Sequence, residues 1–333
     1  MSLTDLIERC ASTNGKTGVY CLANDAAGEW FEAFVRSLRK YNPTLPLTVI
    51  PYDASITRLK TLQAQFHFSV MGELDCARFD AIAHRVAGQR LPGGTFRKLC
   101  CFFGEYDTFL FLDSDIVVTQ PLQPFFDAFE KTVADFVYFD TDMTMVYTPE
   151  FAHQMVAKYG SAGFNSGAFI ARRGCFNEEE IMASVESGEK IRDHFSIWGE
   201  QPFFNYLIDI SQRRKQSAAE LLPGTTNKPW ARVNFHYDAG QDRYLDSVGR
   251  TMPFIHWAGC EWPTMFRSEI FLRFRLLGMS GGERVAYRLN FYWRRFRKNL
   301  KHVLLKIRPL AGWMERREAR LQRKRLSANA KSS

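Results

Sequence analysis

An α/β fold, a largely parallel sheet flanked by helices and extended by a basic helical tail, is what three observations predict. The segment Thr17–Ile50 reads as strand, helix, strand. The apolar run Phe109-Leu110-Phe111-Leu112 reads as a strand buried on both faces, as at the centre of a parallel sheet, and it runs straight into Asp113-Ser114-Asp115. The basic excess sits at one end. Arg284–Ser333 holds 16 Lys and Arg against 2 acids, so a net charge of +8 divides into a tail of +14 and a body of −6.

The elements follow in order. Thr17-Gly18-Val19-Tyr20-Cys21-Leu22-Ala23 is a buried strand closed by the polar pair Asn24 and Asp25. Trp30–Tyr41 has Phe31, Phe34, Val35 and Leu38 at helical spacing and stops before Asn42-Pro43. Leu47–Ile50 is a second strand, ended by Pro51, which completes the β-α-β opening that a nucleotide-binding sheet requires. Ile56–Gln65 is a helix, Leu91–Gly94 a loop, and Phe96–Gly104 a helix leading into the acidic strand. Phe136–Phe139 is another buried strand, followed by a second acidic pair, Asp140 and Asp142. Phe203–Ile210 is helical and Pro223–Trp230 is a loop.

Composition narrows the class. At 46% hydrophobic and 14% aromatic residues, the chain can fill a sizeable core, which argues against disorder. The start, Met1-Ser2-Leu3-Thr4-Asp5, lacks the features of a signal peptide, and no run approaches the roughly 18 apolar residues of a membrane span. The seven cysteines are scattered with no Cys-x-x-Cys spacing, as expected of buried thiols in a reducing cytoplasm. Neither a Gly-x-Ser-x-Gly elbow nor a Walker A or Gly-x-Gly-x-x-Gly motif occurs. The Gly-rich loop of nucleotidyltransferases is also missing from Val19–Gly28.

Asp113 and Asp115, two residues apart at a strand end, can present their carboxylates to the same side. In open α/β sheets ligands bind beyond the carboxyl ends of the strands. Paired carboxylates there suit Mn²⁺ or Mg²⁺, which bridge protein oxygens to substrate phosphates.

The surroundings of this pair carry a resemblance. Thr95–Phe103 before it, Ile116-Val117-Val118 and Pro121-Leu122 after it, Gly163-Phe164-Asn165-Ser166-Gly167, Gly199-Glu200-Gln201 and His256-Trp257-Ala258-Gly259 occur in the order found in nucleotide-sugar glycosyltransferases of the GT-A fold. The chain is most similar to family 8, over roughly Thr17–Pro263. The resemblance implies a Rossmann-like nucleotide-binding sheet flanked by helices, with a glycosyltransferase domain over residues 17–265 and a basic helical extension over 266–333. It implies a metal-dependent hexosyl transfer from a UDP-sugar, with retention. Asp113, Asp115 and His256 would hold Mn²⁺ or Mg²⁺. Asn24 and Asp25 fall in the nucleotide-contact region, and Arg97 and Lys98 match a basic position upstream of the acidic pair. Asn165, Ser166 and Gly167 would border the donor sugar. Gln201 would stabilise positive character at the anomeric carbon, and Glu200 would orient sugar or acceptor.

Two departures stand out. Where the family places a phosphate-contacting Lys six residues after the His, this chain has Trp262, leaving Lys98, Arg97, Lys228 or Arg232 as substitutes. Glu200 replaces the family's usual Asp. Asp140 and Asp142 rank second as metal ligands because they lack the flanking family context. The rival reading is a catalytically degenerate fold that binds membranes or nucleic acid through its tail.

In the tail, apolar residues from Val285 to Ile307 recur at spacings of three and four among cations, up to Arg308-Pro309. This is the composition of an interfacial helix, so Arg284–Lys331 is expected to meet an anionic membrane surface. Nucleic acid is the less favoured partner, since the body is acidic and no reader motif is present. A peripheral position on the cytoplasmic face and a membrane-linked acceptor follow from that expectation.

Overall fold

A computed structural model describes residues 16–87, 92–196 and 199–305. The first residue of the Leu91–Gly94 loop and the tail beyond Leu305, Arg308-Pro309 included, lie outside the described residues.

Seven strands form the central sheet: β1 (Thr17–Ala23), β2 (Leu47–Pro51), β3 (Ser69–Val70), β4 (Thr108–Leu112), β6 (Phe136–Tyr138), β7 (Ala168–Arg172) and β8 (Lys215–Ser217), in the order β3-β2-β1-β4-β7-β6-β8. The pairs β1–β2, β1–β4, β2–β3 and β6–β8 are parallel, whereas β7 runs antiparallel to both β4 and β6. A short strand β5 (Ile116–Val118) continues past β4 and pairs antiparallel with β11 (Phe254–His256). A separate hairpin joins β9 (Phe235–Asp238) to β10 (Arg243–Asp246).

Alternation along the strands builds the two faces of the core. Val19, Cys21, Leu110, Leu112, Ala168 and Ile170 point to one side. There they meet Phe31, Phe34, Val35 and Leu38 of α1 (Gly28–Tyr41) and the phenylalanines of α5 (Gln123–Glu130). Tyr20, Phe109, Phe111 and Phe169 point to the other side, against α4 (Asp80–Ala87) and α8 (Gln201–Ile210). Burying an aromatic or aliphatic side chain stabilises by about 1.5–3 kcal/mol, so these faces carry most of the fold's driving force. The remaining helices are α2 (Thr57–Phe66), α3 (Glu73–Ala77), α6 (Pro149–Tyr159), α7 (Glu178–Ile191), α9 (Ala218–Leu221), α10 (Ser268–Arg275) and α11 (Gly281–Leu305).

Expected and observed elements differ chiefly at Phe96–Gly104. Gly104 is the C-cap, and Phe96–Phe103 belongs to a 3₁₀ helix over Gly93–Phe103 rather than an α-helix. It passes so close beneath β2 that a Cβ on Gly94 would sit 2.0 Å from the Tyr52 carbonyl oxygen. The glycine that this passage demands is a poor α-helix former.

The chain divides into two compact units. The larger runs to Ala258 and includes Arg273–Leu277; the smaller comprises Gly259–Leu272 and the segment from Gly278 onward. Within the smaller, Phe291 of α11 is buried, edge-on to Trp262 and stacked on Phe271, with centroids 6.1 Å away in both cases. No helix among the described residues is long and apolar enough to cross a membrane.

One buried side chain ties the second helical layer to the loop before β7. Asn205 on α8 is 0% exposed; its Oδ1 accepts from Phe164 N (2.9 Å), and its Nδ2 donates to Phe164 O (2.8 Å) and Gln201 O (3.0 Å). Replacing Asn205→Ala leaves buried backbone groups unpaired, and urea titration is expected to show a loss of about 3 kcal/mol. A loss below about 1 kcal/mol would mean that water takes over the amide's bonds.

Candidate active site

Three ligand-bearing side chains converge where β4 ends. Backbone pairing explains how. Asp113 N donates to Gly167 O (2.8 Å), fixing the strand end against the turn that precedes β7. Three residues on, the antiparallel pairing of β5 with β11 sets His256 opposite Ile116. Trp257 N then donates to Asp115 O (3.0 Å), while His256 N donates to Pro229 O (2.8 Å). His256 Nε2 thereby comes within 3.1 Å of Asp115 Oδ1. One ligand atom from each of Asp113, Asp115 and His256 can be chosen so that all lie within 4.8 Å of one another. Two carboxylate oxygens are hard donors that suit Mn²⁺ or Mg²⁺, and the imidazole nitrogen adds a borderline donor, which Mn²⁺ accepts more readily than Mg²⁺.

Gly167 forms the close side of this cluster. A Cβ built on it would lie 2.6 Å from Asp113 Oδ2 and 2.6 Å from His256 Cε1, and 2.9 Å from Asn165 Oδ1. The turn before it needs another glycine: Gly163 has φ +63°, and a Cβ there would meet the Met143 backbone at 2.7 Å.

Beside the Asp113–Asp115–His256 cluster lies a second charged group. Lys98, 2% exposed, pairs with Glu200, approaches Asp113 Oδ1 at 3.8 Å, and donates to Ser166 O (3.2 Å) and Oγ (3.3 Å). Ser166 Oγ in turn donates to Glu200 Oε1 (2.7 Å). Burial disfavours the charges of both Lys98 and Glu200, yet Asp113 and then Glu200 outweigh it for the ammonium, which is raised, and Lys98 and Ser166 outweigh it for the Glu200 carboxyl, which is lowered. Asp113 goes the other way. Desolvation, reinforced by Asp115, pushes its carboxyl up to about 6 in spite of Lys98. For His256, burial opposes the charge, but Asp115 overcomes it and the imidazole is raised.

A cleft of about 460 Å³ opens over these groups, lined among others by Asn24, Trp30, Tyr52, Lys98, Asp115 and Glu200. Asn24 faces it with its amide already engaged, donating to Asp53 Oδ2 (2.8 Å) and accepting from Ala27 N (3.1 Å). Other expected site residues are placed elsewhere. Asp25 caps the start of α2, accepting from Arg58 N (3.1 Å) and Leu59 N (3.0 Å). Arg97 is held by Asp80, Glu73 and the Pro51 carbonyl, and neither it nor Asp25 lines the cleft. The Gln201 amide donates to Met145 O (3.4 Å) outside the cleft lining. Asn165 turns its Oδ1 back onto Gly167 N (2.7 Å), and Lys228 and Arg232 are not among the lining residues.

Of the second acidic pair, Asp142 bonds the Thr144 backbone and hydroxyl, whereas Asp140 is 4% exposed and accepts from Asn165 N (3.1 Å) and the Trp230 indole. Burial pushes the Asp140 carboxyl up to about 6. Trp230 bridges to His256 through its backbone, so Asp140 braces both the Asn165 turn and the strand carrying His256. Ninety residues separate Asp140 from Trp230, and no local signal in the sequence joins them.

The fold and this site define a GT-A glycosyltransferase. Residues 97–261, just under half of the chain, match the glycosyl transferase family 8 model. Among solved structures, the apo bifunctional glycosyltransferase WbbM superposes with a TM-score of 0.56 at 14% identity, covering 86% of this chain and 52% of that one. The chain thus spans about half the length of that enzyme. The galactosyltransferase LgtC, solved with donor and acceptor sugar analogs, gives a TM-score of 0.51 at 16% identity, covering 78% of this chain and 95% of that one. At such identities the likeness is one of fold. No curated protein sequence matches.

Two outcomes are expected if Asp113, Asp115 and His256 hold a divalent ion. Gly167→Ala should weaken Mn²⁺ binding in calorimetry at least about tenfold, because its methyl group displaces two ligands at once; unchanged affinity would remove Gly167 from the cluster's wall. Mn²⁺ must also displace protons, since burial pushes the Asp113 carboxyl up to about 6 and the raised His256 imidazole must be neutral to bind. Affinity is therefore expected to fall as pH drops through 6, by about tenfold per unit for each proton displaced. A flat profile between pH 7 and 5 would contradict the ligand set.

Proposed function

We propose that the protein transfers a hexose from a UDP-sugar to an acceptor, with retention, at a Mn²⁺ or Mg²⁺ site formed by Asp113, Asp115 and His256. The observation that carries this reading is the convergence of those three side chains, with Asp113 and Asp115 lining a cleft, in a chain whose residues 97–261 match the family 8 model. A divalent ion bound there supplies Lewis-acid stabilisation for a departing diphosphate.

The chain's own residues supply the rest. Lys98 neutralises Asp113 and Glu200 from below, so a strongly negative site stays folded before any cation arrives. Glu200, fixed by Lys98 and Ser166, presents its carboxylate to the cleft, where it can orient a sugar hydroxyl or the acceptor. Gln201 starts α8 next to it and would reach the anomeric carbon once its bond to Met145 O is exchanged. With no carboxylate assigned as nucleophile, the leaving diphosphate would assist deprotonation of the acceptor on the same face of the sugar. Aromatic Trp30 and Tyr52 and polar Asn24 line the cleft where the nucleotide would lie.

We also infer a membrane-linked acceptor, with the protein held peripherally at an anionic cytoplasmic leaflet by the basic segment Arg284–Lys331. The support is α11, which carries seven Lys and Arg against one acid over its described length.

The test is turnover of a panel of UDP-sugars by metal-stripped protein, with and without Mn²⁺. Asp115→Asn is expected to lower Mn²⁺-dependent turnover at least about a hundredfold, with far-UV dichroism unchanged. Asp142→Asn, whose carboxylate is spent on Thr144, should lower it less than about threefold. Normal turnover by Asp115→Asn would overturn the metal assignment.

A further inference from the structure

The helix α11 has two faces with different commitments. Outward, Val285, Leu289, Trp293, Phe296, Leu300 and Val303 recur at spacings of four, four, three, four and three, and each is between 44% and 68% exposed. Such a run forms one continuous apolar stripe along a helix. Trp293 and Phe296 stack within it, with centroids 5.9 Å apart, and exposed Arg288 and Arg297 flank it. An aromatic stripe bordered by cations fits the headgroup region of an anionic bilayer. A second copy of the helix fits poorly, since pairing would set seven cations against seven with one acid on each side.

The inward face grips one short segment of chain. Lys298 donates to Trp262 O (3.0 Å) and pairs with Glu261, and Arg294 lies over the Trp262 ring at 5.4 Å. Arg295 donates to Ser268 Oγ (2.6 Å), and Phe291 packs on Trp262 and Phe271. This gripped segment, Glu261–Ser268, begins five residues after His256. His256 itself sits at the end of a strand of only three residues, β11, so the third metal ligand depends on a short element whose continuation is held by α11.

We propose that binding of an anionic lipid surface to the outward stripe of α11 raises the affinity of the Asp113–Asp115–His256 site for Mn²⁺ and UDP, so that the protein is activated where its acceptor resides. The proposal rests on the membrane reading above and adds regulation to it. The stripe receives the lipid, the Lys298, Arg294 and Phe291 contacts hold the Glu261–Ser268 segment, and the covalent continuity of that segment with β11 carries the effect to His256. Thermodynamic linkage demands the reverse effect by the same factor: Mn²⁺ and UDP must tighten lipid binding.

The experiment uses the full chain, with two readouts. Calorimetry measures UDP affinity in Mn²⁺ with vesicles of phosphatidylcholine alone or with added phosphatidylglycerol. Co-sedimentation measures vesicle binding with and without Mn²⁺ and UDP. The proposal expects a gain in UDP affinity of about fivefold or more with phosphatidylglycerol only, and an equal gain in vesicle binding. Trp293→Ser with Phe296→Ser should lose vesicle binding and the gain, while keeping the lipid-free UDP affinity. Phe291→Ala, or Trp262→Leu in the gripped segment, should keep vesicle binding and lose the gain. If wild type binds vesicles with no change in UDP affinity, the coupling is overturned and the membrane reading stands. Absence of vesicle binding, or stripe-dependent dimerisation in its place, overturns both.

Discussion

Negative charge concentrated at the end of β4 is the constraint around which the rest of the site is arranged. Asp113, Asp115 and Glu200 would repel one another in a partly desolvated cleft, and removing such groups from water is costly unless each is paired. A single buried ammonium, Lys98, answers both Asp113 and Glu200, and the Ser166 hydroxyl completes the cluster. The compensation is incomplete at Asp113, whose carboxyl stays raised to about 6. A site that holds excess negative charge in this way is prepared for a divalent cation.

The three-layer architecture makes this arrangement affordable. With β4 buried on both faces by Phe and Leu, its backbone is rigid, and the acidic pair that follows has a fixed origin. The change from parallel to antiparallel order at β7 brings the Asn165–Gly167 turn beside Asp113. Glycine at 167 is then required by space and not by backbone angle. Asp140 braces the same turn from the neighbouring strand, linking it to Trp230 and, through backbone pairing, to His256.

Residues that share a sequence motif do not share a task. Arg97 and Lys98 are adjacent, yet one is tied to Asp80 and Glu73 and the other enters the site. Asn24 and Asp25 diverge likewise, the first facing the cleft and the second capping α2. Along a tight turn or a 3₁₀ segment, neighbouring side chains point in different directions, so a motif locates a neighbourhood and only packing selects its working member.

The sequence by itself determined the strand pattern, the α/β class, the acidic pair at a buried strand end, the ordered blocks that mark family 8, and the amphipathic character of α11. These are local properties, set by periodicity and by residue chemistry within a few positions, and they survive any change in distant partners. Tertiary structure alone decided that His256 meets Asp115 across 141 positions, that Lys98 is a buried counter-ion and not a free cation, that Asp140 braces Trp230, and that the back of α11 grips Glu261–Ser268. Each of these joins side chains from separate segments. Their energies come from desolvated pairing and close packing, which exist only after the chain has folded.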